Sequence, residues 1–230
     1  MALRPLSGPR LEPLKGPASH LVVLVHGYGS DGNDLIGLAP HWRQDMPGAA
    51  FVAPNAPDRL PGSPGYQWFP ISRIEPHEMQ KGVESVGPVL EQFVDAELAR
   101  LSLPPERLIL VGFSQGTMLS LHVGLARKTA PAAIVGLSGM LASSPPRCGD
   151  GPAILLTHGD ADQIVPVQAM LFAASTLGDS GYAVQWHLAP GVGHGVDPDT
   201  IAIAGQFLGL AYRGLLARSG PASSLVGTIS

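Results

Sequence analysis

Gly112-Phe113-Ser114-Gln115-Gly116 is the stretch whose residue types and setting could do chemistry. The apolar run Arg107-Leu108-Ile109-Leu110-Val111 precedes it, and the helix-like Thr117-Met118-Leu119-Ser120-Leu121-His122-Val123 follows. Strand, sharp turn and helix, with a serine at the turn, make a nucleophile elbow. Such a turn forces Ser114 into a strained conformation with Oγ standing clear of the sheet. Gly112 and Gly116 would let the strand and helix backbones approach around it. The bland alternative is an ordinary turn whose serine caps a helix.

A serine hydroxyl is a poor nucleophile at neutral pH. It needs a base, and the base needs an orienting carboxylate. Of eight histidines, His194 is the best base, lying between Gly193 and Gly195 in a loop after the last predicted strand. His122 falls inside the elbow helix and His187 in a strand, where packing or surface roles are expected. His26 and His158 end strands and are expected to order the backbone there, while His20, His41 and His77 carry no signal. For the acid, Asp160 and Asp162 compete. Asp162 lies 48 residues after Ser114 and 32 before His194, but spacing alone does not separate it from Asp160, which could brace the loop through backbone amides. Asp197 and Asp199 lie too close to His194 in sequence.

Acyl transfer through a serine also needs two backbone N–H groups aimed at the developing oxyanion. Gln115, next after the nucleophile, offers one. The loop His26-Gly27-Tyr28-Gly29 offers the other, from Tyr28. That loop carries a rival reading, because Gly27-Tyr28-Gly29-Ser30-Asp31-Gly32 matches the G-x-G-x-x-G of dinucleotide-binding proteins. The fingerprint wants an acid at the end of the second strand, and Val52-Ala53-Pro54-Asn55 has none. Zinc chemistry is disfavoured too: His77-Glu78 lacks a second histidine at helical spacing, and the one cysteine, Cys148, has no partner. No metal and no cofactor are expected.

The elements that must position these groups alternate. Residues 1–19 read as an extended arm, rich in Pro and Gly, that could contribute a short first strand. His20–Val25 is a strand, followed by the glycine loop and a helix through Leu35, Ile36, Leu38, Ala39 and Trp42, with Asp34 as N-cap. Ala49–Ala53 is a strand. Residues 55–77 form a long proline-rich connection holding Tyr66-Gln67-Trp68-Phe69-Pro70-Ile71, and loops of that length inside a compact domain are usually functional. Glu78–Leu101 is a long helix on the spacing of Val83, Val86, Leu90, Phe93, Val94, Leu98 and Leu101, with a kink predicted at Gly87-Pro88. Beyond the elbow helix, strands are predicted at 132–137, 153–157 and 183–188, with helices over about 167–178 and 198–217. Continuously apolar strands alternating with helices predict a mainly parallel sheet covered on both faces. Sites in such sheets lie at the carboxyl ends of the strands, and every loop singled out above follows a strand. One domain over 1–218 is expected, with 219–230 as a tail, mobile or docked on a neighbouring subunit. The 55–77 loop and this tail are the stretches that could line a homodimer.

Composition narrows the classes. Hydrophobic residues make up 45% and charged ones 14%, as expected of a globular chain with a sizeable core. A net charge of −4 without a basic run argues against nucleic acid and anionic membranes. No apolar run approaches the ~20 residues of a membrane span. Residues 1–19 show no apolar leader, so a cytoplasmic location is expected. A single cysteine permits no internal disulfide, and Cys148, in a Pro- and Gly-rich loop, is expected to be an unpaired surface thiol.

With these residues assembled, the chain resembles the phospholipase/carboxylesterase family of α/β-hydrolases, which includes acyl-protein thioesterases and small bacterial carboxylesterases. The resemblance runs from about Leu21 to Leu216. It rests on His26-Gly27-Tyr28-Gly29-Ser30-Asp31-Gly32, Trp68-Phe69, Gly112-Phe113-Ser114-Gln115-Gly116, His158-Gly159-Asp160-Ala161-Asp162 with Val165-Pro166, and Gly193-His194. It implies an α/β-hydrolase fold without a large cap domain. It also implies a Ser114–His194–Asp162 triad, in which the second aspartate is the acid, and Tyr28 and Gln115 as oxyanion donors. A serine esterase acting on small-molecule carboxylic esters of short to medium acyl chain is expected. The alternative is a lysophospholipase or acyl-protein thioesterase on long chains. A non-catalytic binding protein of this fold, or a nucleotide-binding protein, is the alternative of another class. Leu35, Trp68, Phe69, Met118, Met140, Ile164 and Val165 are candidates for the acyl pocket. Three positions depart from the family pattern: Thr117 replaces a frequent glycine, Pro70 a frequent aspartate, and Ser138-Gly139-Met140-Leu141 lacks a tryptophan that thioesterase-type members often carry. They bear on the substrate rather than the chemistry.

Overall fold

A computed structural model describes residues 5–217 and the backbone of 226–229. In chain order the first elements are β1 (Arg10–Leu11), β2 (His20–Val25), α1 (Gly32–Ile36), α2 (Ala39–Trp42), β3 (Ala49–Val52), β4 (Asp58–Arg59), β5 (Tyr66–Gln67) and α3 (Pro76–Arg100). After them come β6 (Leu108–Phe113), α4 (Gln115–Ala126), β7 (Ala133–Leu137), β8 (Ala153–Gly159), α5 (Gln168–Asp179), β9 (Val184–Ala189), α6 (Pro198–Tyr212) and β10 (Val226–Ile229).

Residue parity along the strands decides the layering. In β2, Leu21, Val23 and Val25 enter one apolar cluster, and Val22 and Leu24 enter another; in β6, Leu108 and Leu110 part in the same way from Ile109 and Val111. Successive side chains leave opposite faces of a strand, so a continuously apolar strand is one covered on both sides. The first cluster is closed by α3, α4 and α5 and the second by α1, α2 and α6. Each large side chain so buried contributes about 1.5–3 kcal/mol.

The main sheet runs β1-β3-β2-β6-β7-β8-β9-β10. All neighbours are parallel except β1, which pairs antiparallel with β3. This is an α/β-hydrolase fold, and among the described residues no cap domain stands over the sheet. The parallel strands bring the ends of β2, β6, β7, β8 and β9 to one edge.

Several boundaries differ from the sequence expectations. The helix predicted through Leu35–Trp42 is two short helices, α1 and α2, separated at Gly37-Leu38, with Pro40 in the first turn of the second. Its cap is Asp31, not Asp34: the Asp31 side chain accepts the Asp34 N–H at 3.0 Å, while Asp34 lies inside the first turn and accepts the Ser30 hydroxyl. Gly87-Pro88 lies within a helix continuous from Pro76 to Arg100. The last predicted helix stops at Tyr212, just before Gly214 at φ +68°.

The arm supplies β1, and the Arg10 guanidinium pairs with the buried Glu97 carboxylate of α3, which also accepts Arg100 Nε at 2.9 Å. Burial would raise the Glu97 carboxyl, but these cations hold it below its ordinary value. The 55–77 connection contains the small antiparallel ribbon β4–β5 and then turns Trp68 and Phe69 into the core. Of the tail, Val226–Ile229 pairs parallel with β9 of the same chain; residues 218–225 and 230 lie outside the described residues.

Candidate active site

The elbow forms where β6 ends and α4 begins. Ser114, between them, has φ +52° and ψ −114°. A non-glycine residue held there costs about 1–3 kcal/mol and persists only when its surroundings fix it. Ser114 N–H donates to Leu137 C=O at 2.8 Å, and Thr117 Oγ1 lies 2.8 Å from both Gly112 C=O and Leu137 C=O. The elbow is therefore pinned to the end of β7. Close approach explains the glycines: a Cβ on Gly112 would collide with the Gly116 carbonyl, and one on Gly116 with Val25 C=O.

The Ser114 hydroxyl meets His194, whose Nε2 lies 3.0 Å from Oγ. His194 Nδ1 lies 2.8 Å from Asp162 Oδ2. Since the carboxylate can only accept, Nδ1 carries the hydrogen and Nε2 presents a lone pair to the serine. Three loops thus bring their residues together: the elbow, the β8–α5 loop and the β9–α6 loop. The two aspartates face different partners. Asp160 Oδ1 accepts Gly191 N–H, bracing the loop that carries His194, while Asp162 faces the imidazole. Asp162 Oδ1 accepts the N–H groups of Ile164 at 2.8 Å and Val165 at 2.9 Å. Burial would raise this carboxyl, but the His194 hydrogen bond and those two amides outweigh it and hold Asp162 below its ordinary value.

Two neighbours of the imidazole escaped the sequence reading. The Phe113 ring packs beside it, with centroids 5.2 Å apart. Ser138, at φ +47°, donates its hydroxyl to Gly195 C=O at 3.0 Å and ties the histidine loop to the end of β7. The G-x-S-x-G pattern leaves Phe113 as an unspecified x. For Ser138, the signal was a Ser-Gly pair directly after a buried strand.

On the other side of the elbow, the loop after β2 is held by backbone. Gly29 N–H donates to Tyr66 C=O and Tyr66 N–H to Ser30 C=O, each at 2.8 Å. His26, fully buried, donates Nδ1–H to Gly27 C=O at 2.7 Å and accepts Ala56 N–H on Nε2 at 3.0 Å. Burial lowers its pKa, consistent with a neutral ring in that double role. Gln115 has two outputs. Its N–H lies in the first turn of α4, where amides have no intrahelical acceptor and the helix dipole is positive. Its side chain accepts Trp68 N–H at 2.9 Å and donates to Phe69 C=O at 2.8 Å, fixing the 55–77 connection to the elbow.

The seven pocket candidates separate by burial. Leu35, Trp68, Phe69, Met118 and Val165 are buried side chains, with Leu35 in one apolar cluster and Trp68, Phe69 and Met118 in the cluster on the other sheet face. Met140 is half-buried, and Ile164 is 57% exposed beside the acid. Tyr28 is 40% exposed on the opposite loop. Elsewhere, His122 Nδ1 lies 3.0 Å from Ser143 Oγ, and Cys148 is a free, half-buried thiol. Among the described residues no cluster of three or more His, Cys, Asp or Glu could hold a metal ion, and no helix is long and apolar enough to cross a membrane.

Comparison with known proteins identifies the family and the fold. Residues 7–211 match the family model described as Phospholipase/Carboxylesterase. The acyl-protein thioesterase 1 of Gibberella zeae is 29% identical, over 88% of this chain and 97% of that protein. The esterase YpfH of Escherichia coli is 25% identical, over 82% of this chain and 81% of its own length. Among solved structures, esterase PE8 is 40% identical and superposes with a TM-score of 0.84, covering 93% of this chain and 100% of that one. A Bacillus cereus carboxylesterase, 15% identical with a TM-score of 0.75, shares the fold over 92% of this chain and 95% of its own. The chain is a hydrolase and belongs to the phospholipase/carboxylesterase family.

Proposed function

We propose that the protein is a serine esterase that cleaves small carboxylic esters through an acyl-enzyme. The observation that carries this reading is the hydrogen-bonded line from Ser114 Oγ through His194 to Asp162, at 3.0 and 2.8 Å. Ser114 Oγ attacks the acyl carbon while His194 Nε2 takes its proton. Asp162 holds the imidazole in the tautomer that leaves Nε2 free and stabilises the cation that forms. The N–H groups of Gln115 and Tyr28 receive the oxyanion, helped by the positive end of α4. His194 then protonates the departing alcohol. In the second half, it takes a proton from water as the water attacks the acyl-enzyme, and it returns that proton to Ser114 Oγ as the ester bond breaks and the acid leaves.

What supports short to medium acyl chains is the space behind the elbow. The gap beside Met140, bounded by Thr117, Leu121, Gly139, Leu156 and Met170, admits no water molecule, so it gives a long chain no buried channel. A second reading, long-chain esters or thioesters, is favoured by a different observation. Tyr28 and Ile164 expose apolar surface on the two loops flanking the elbow, and a relative that matches nearly end to end is named an acyl-protein thioesterase. Steady-state hydrolysis of p-nitrophenyl esters from two to sixteen carbons, with Ser114→Ala alongside, tests the proposal. We expect activity to peak at short chains and vanish in the variant. A maximum at long chains would select the second reading, and activity unchanged in the variant would sink both.

A further inference from the structure

Asp162 faces two imidazoles, not one. His158 is the penultimate residue of β8, and its side chain is fully buried. Its Nε2 lies 2.8 Å from Val165 C=O and 3.1 Å from Asp162 Oδ2. Oδ2 is the same oxygen that takes the His194 Nδ1–H. Both neighbours of His158 Nε2 are acceptors, so that nitrogen must carry a hydrogen. His158 Nδ1 has no hydrogen-bond partner, and a hydrogen placed there would be buried and unsatisfied. The tautomer is thus set, with the Nε2 hydrogen given to Val165 C=O and its edge facing Asp162 Oδ2.

The geometry points to His158 as a positioning residue for the carboxylate of the triad, an inference that rests on the triad reading above. His158 acts by two routes. Its N–H fixes Val165 C=O, and Val165 N–H in turn donates to Asp162 Oδ1, so both ends of the turn 162–165 are held. Directly, its Nε2–H edge stands 3.1 Å from Oδ2 without making a hydrogen bond there, and its partial positive charge competes with His194 for that oxygen's charge. A carboxylate oxygen that already faces the positive edge of a second imidazole stabilises an imidazolium less. His158 therefore trades some attraction between Asp162 and His194 for a fixed carboxylate. The titratable groups that meet this carboxylate are His194 from the β9–α6 loop and His158 from β8. Asp160 is turned to Gly191 N–H and Asp197 to Thr200 N–H at the start of α6.

His158→Leu fills the space without a donor, and His158→Gln places an amide N–H at the reach of Nε2. For His158→Leu we expect kcat to fall roughly 10- to 100-fold, with KM within about twofold. The acid limb of kcat/KM should move about half a pH unit toward higher pH, because Oδ2 no longer faces the competing positive edge of His158. His158→Gln should recover most of kcat and return the limb. A limb that stays in place in His158→Leu, or a loss that His158→Gln does not relieve, would make His158 a packing residue and overturn the inference. Ser114→Ala in the same assay separates the two failures: if it stays active, the triad reading has fallen; if it is dead while the His158 variants behave like wild type, only this inference has. Should His158→Leu fail to fold, imidazole ¹⁵N NMR of the unsubstituted protein reads the same arrangement. A protonated Nε2 and bare Nδ1 on His158 support it, and the opposite tautomer overturns it.

Discussion

Two serine–histidine pairs lie at opposite ends of the same sheet. At the carboxyl end, Ser114 Oγ is 3.0 Å from His194 Nε2. At the amino end, Ser19 Oγ is 3.2 Å from His20 Nδ1, at the start of β2. What differs is the group on the far nitrogen. His194 meets a carboxylate, which takes its N–H and leaves a lone pair facing the serine. His20 meets Arg107, whose Nη1 lies 3.2 Å from Nε2 and can only donate. Nε2 must then be the acceptor and Nδ1 the donor, so His20 points a hydrogen at Ser19 and cannot take its proton. Ser19 passes its own hydrogen to Gly48 C=O at 3.2 Å. Burial, with Arg107 beside it, pushes His20 down to about 4. The pair at the amino end has the geometry of a clamp, and the pair at the carboxyl end has the geometry that the proposed mechanism needs of a base and a nucleophile. Proximity of serine to histidine does not make the distinction; the third partner does.

Ways to break this contrast run from large to small. Ser114→Ala should lower kcat/KM by about 10⁴- to 10⁶-fold, measured on a short-chain ester. Asp162→Asn should cost about 10⁴-fold while the fold persists, because the amide can donate to Nδ1 and turn the lone pair of His194 away from Ser114. Ser19→Ala should leave kcat/KM unchanged, and a loss there beyond a few-fold would erase the distinction. Arg107→Gln removes one hydrogen bond at the amino end, and urea unfolding should show a loss of about 1 kcal/mol with activity per folded molecule intact.

The finest test is pH. A histidine held below its unfolded value contributes stability that is fully present above about 6.5, the ordinary value, and lost as the pH falls toward the folded value of about 4. In His20→Gln the urea midpoint should fall less steeply across that window than in the unsubstituted protein. An identical slope in the two proteins would contradict the clamp.

Much of this was legible in the chain. Alternating apolar runs and helices carried the parallel sheet, because a strand buried on both faces has nothing but apolar side chains to show. The elbow was legible because its glycines and its setting between strand and helix are steric requirements. His194 stood out by position. Asp162 did not separate from Asp160 by spacing, since both lie on one tight turn and only the direction of each carboxylate distinguishes them. Ser138, and the closeness of His158 to Asp162 beyond the backbone role expected of it, were hidden for a related reason. Their parts depend on which backbone carbonyl or carboxylate a neighbouring strand brings within reach, and a linear sequence does not display that. Asp34 was mistaken for a cap because the helix begins within a glycine-containing loop that reads as irregular.

The most direct test of the central claim is covalent capture. The protein, intact and at neutral pH, is treated with a fluorophosphonate ester, and its peptides are mapped by mass spectrometry while hydrolysis is followed. The account predicts one adduct per chain, on Ser114, appearing in step with the loss of activity, and none on Ser19. Full inactivation with Ser114 unmodified, or an adduct on Ser19 at a comparable rate, would contradict it.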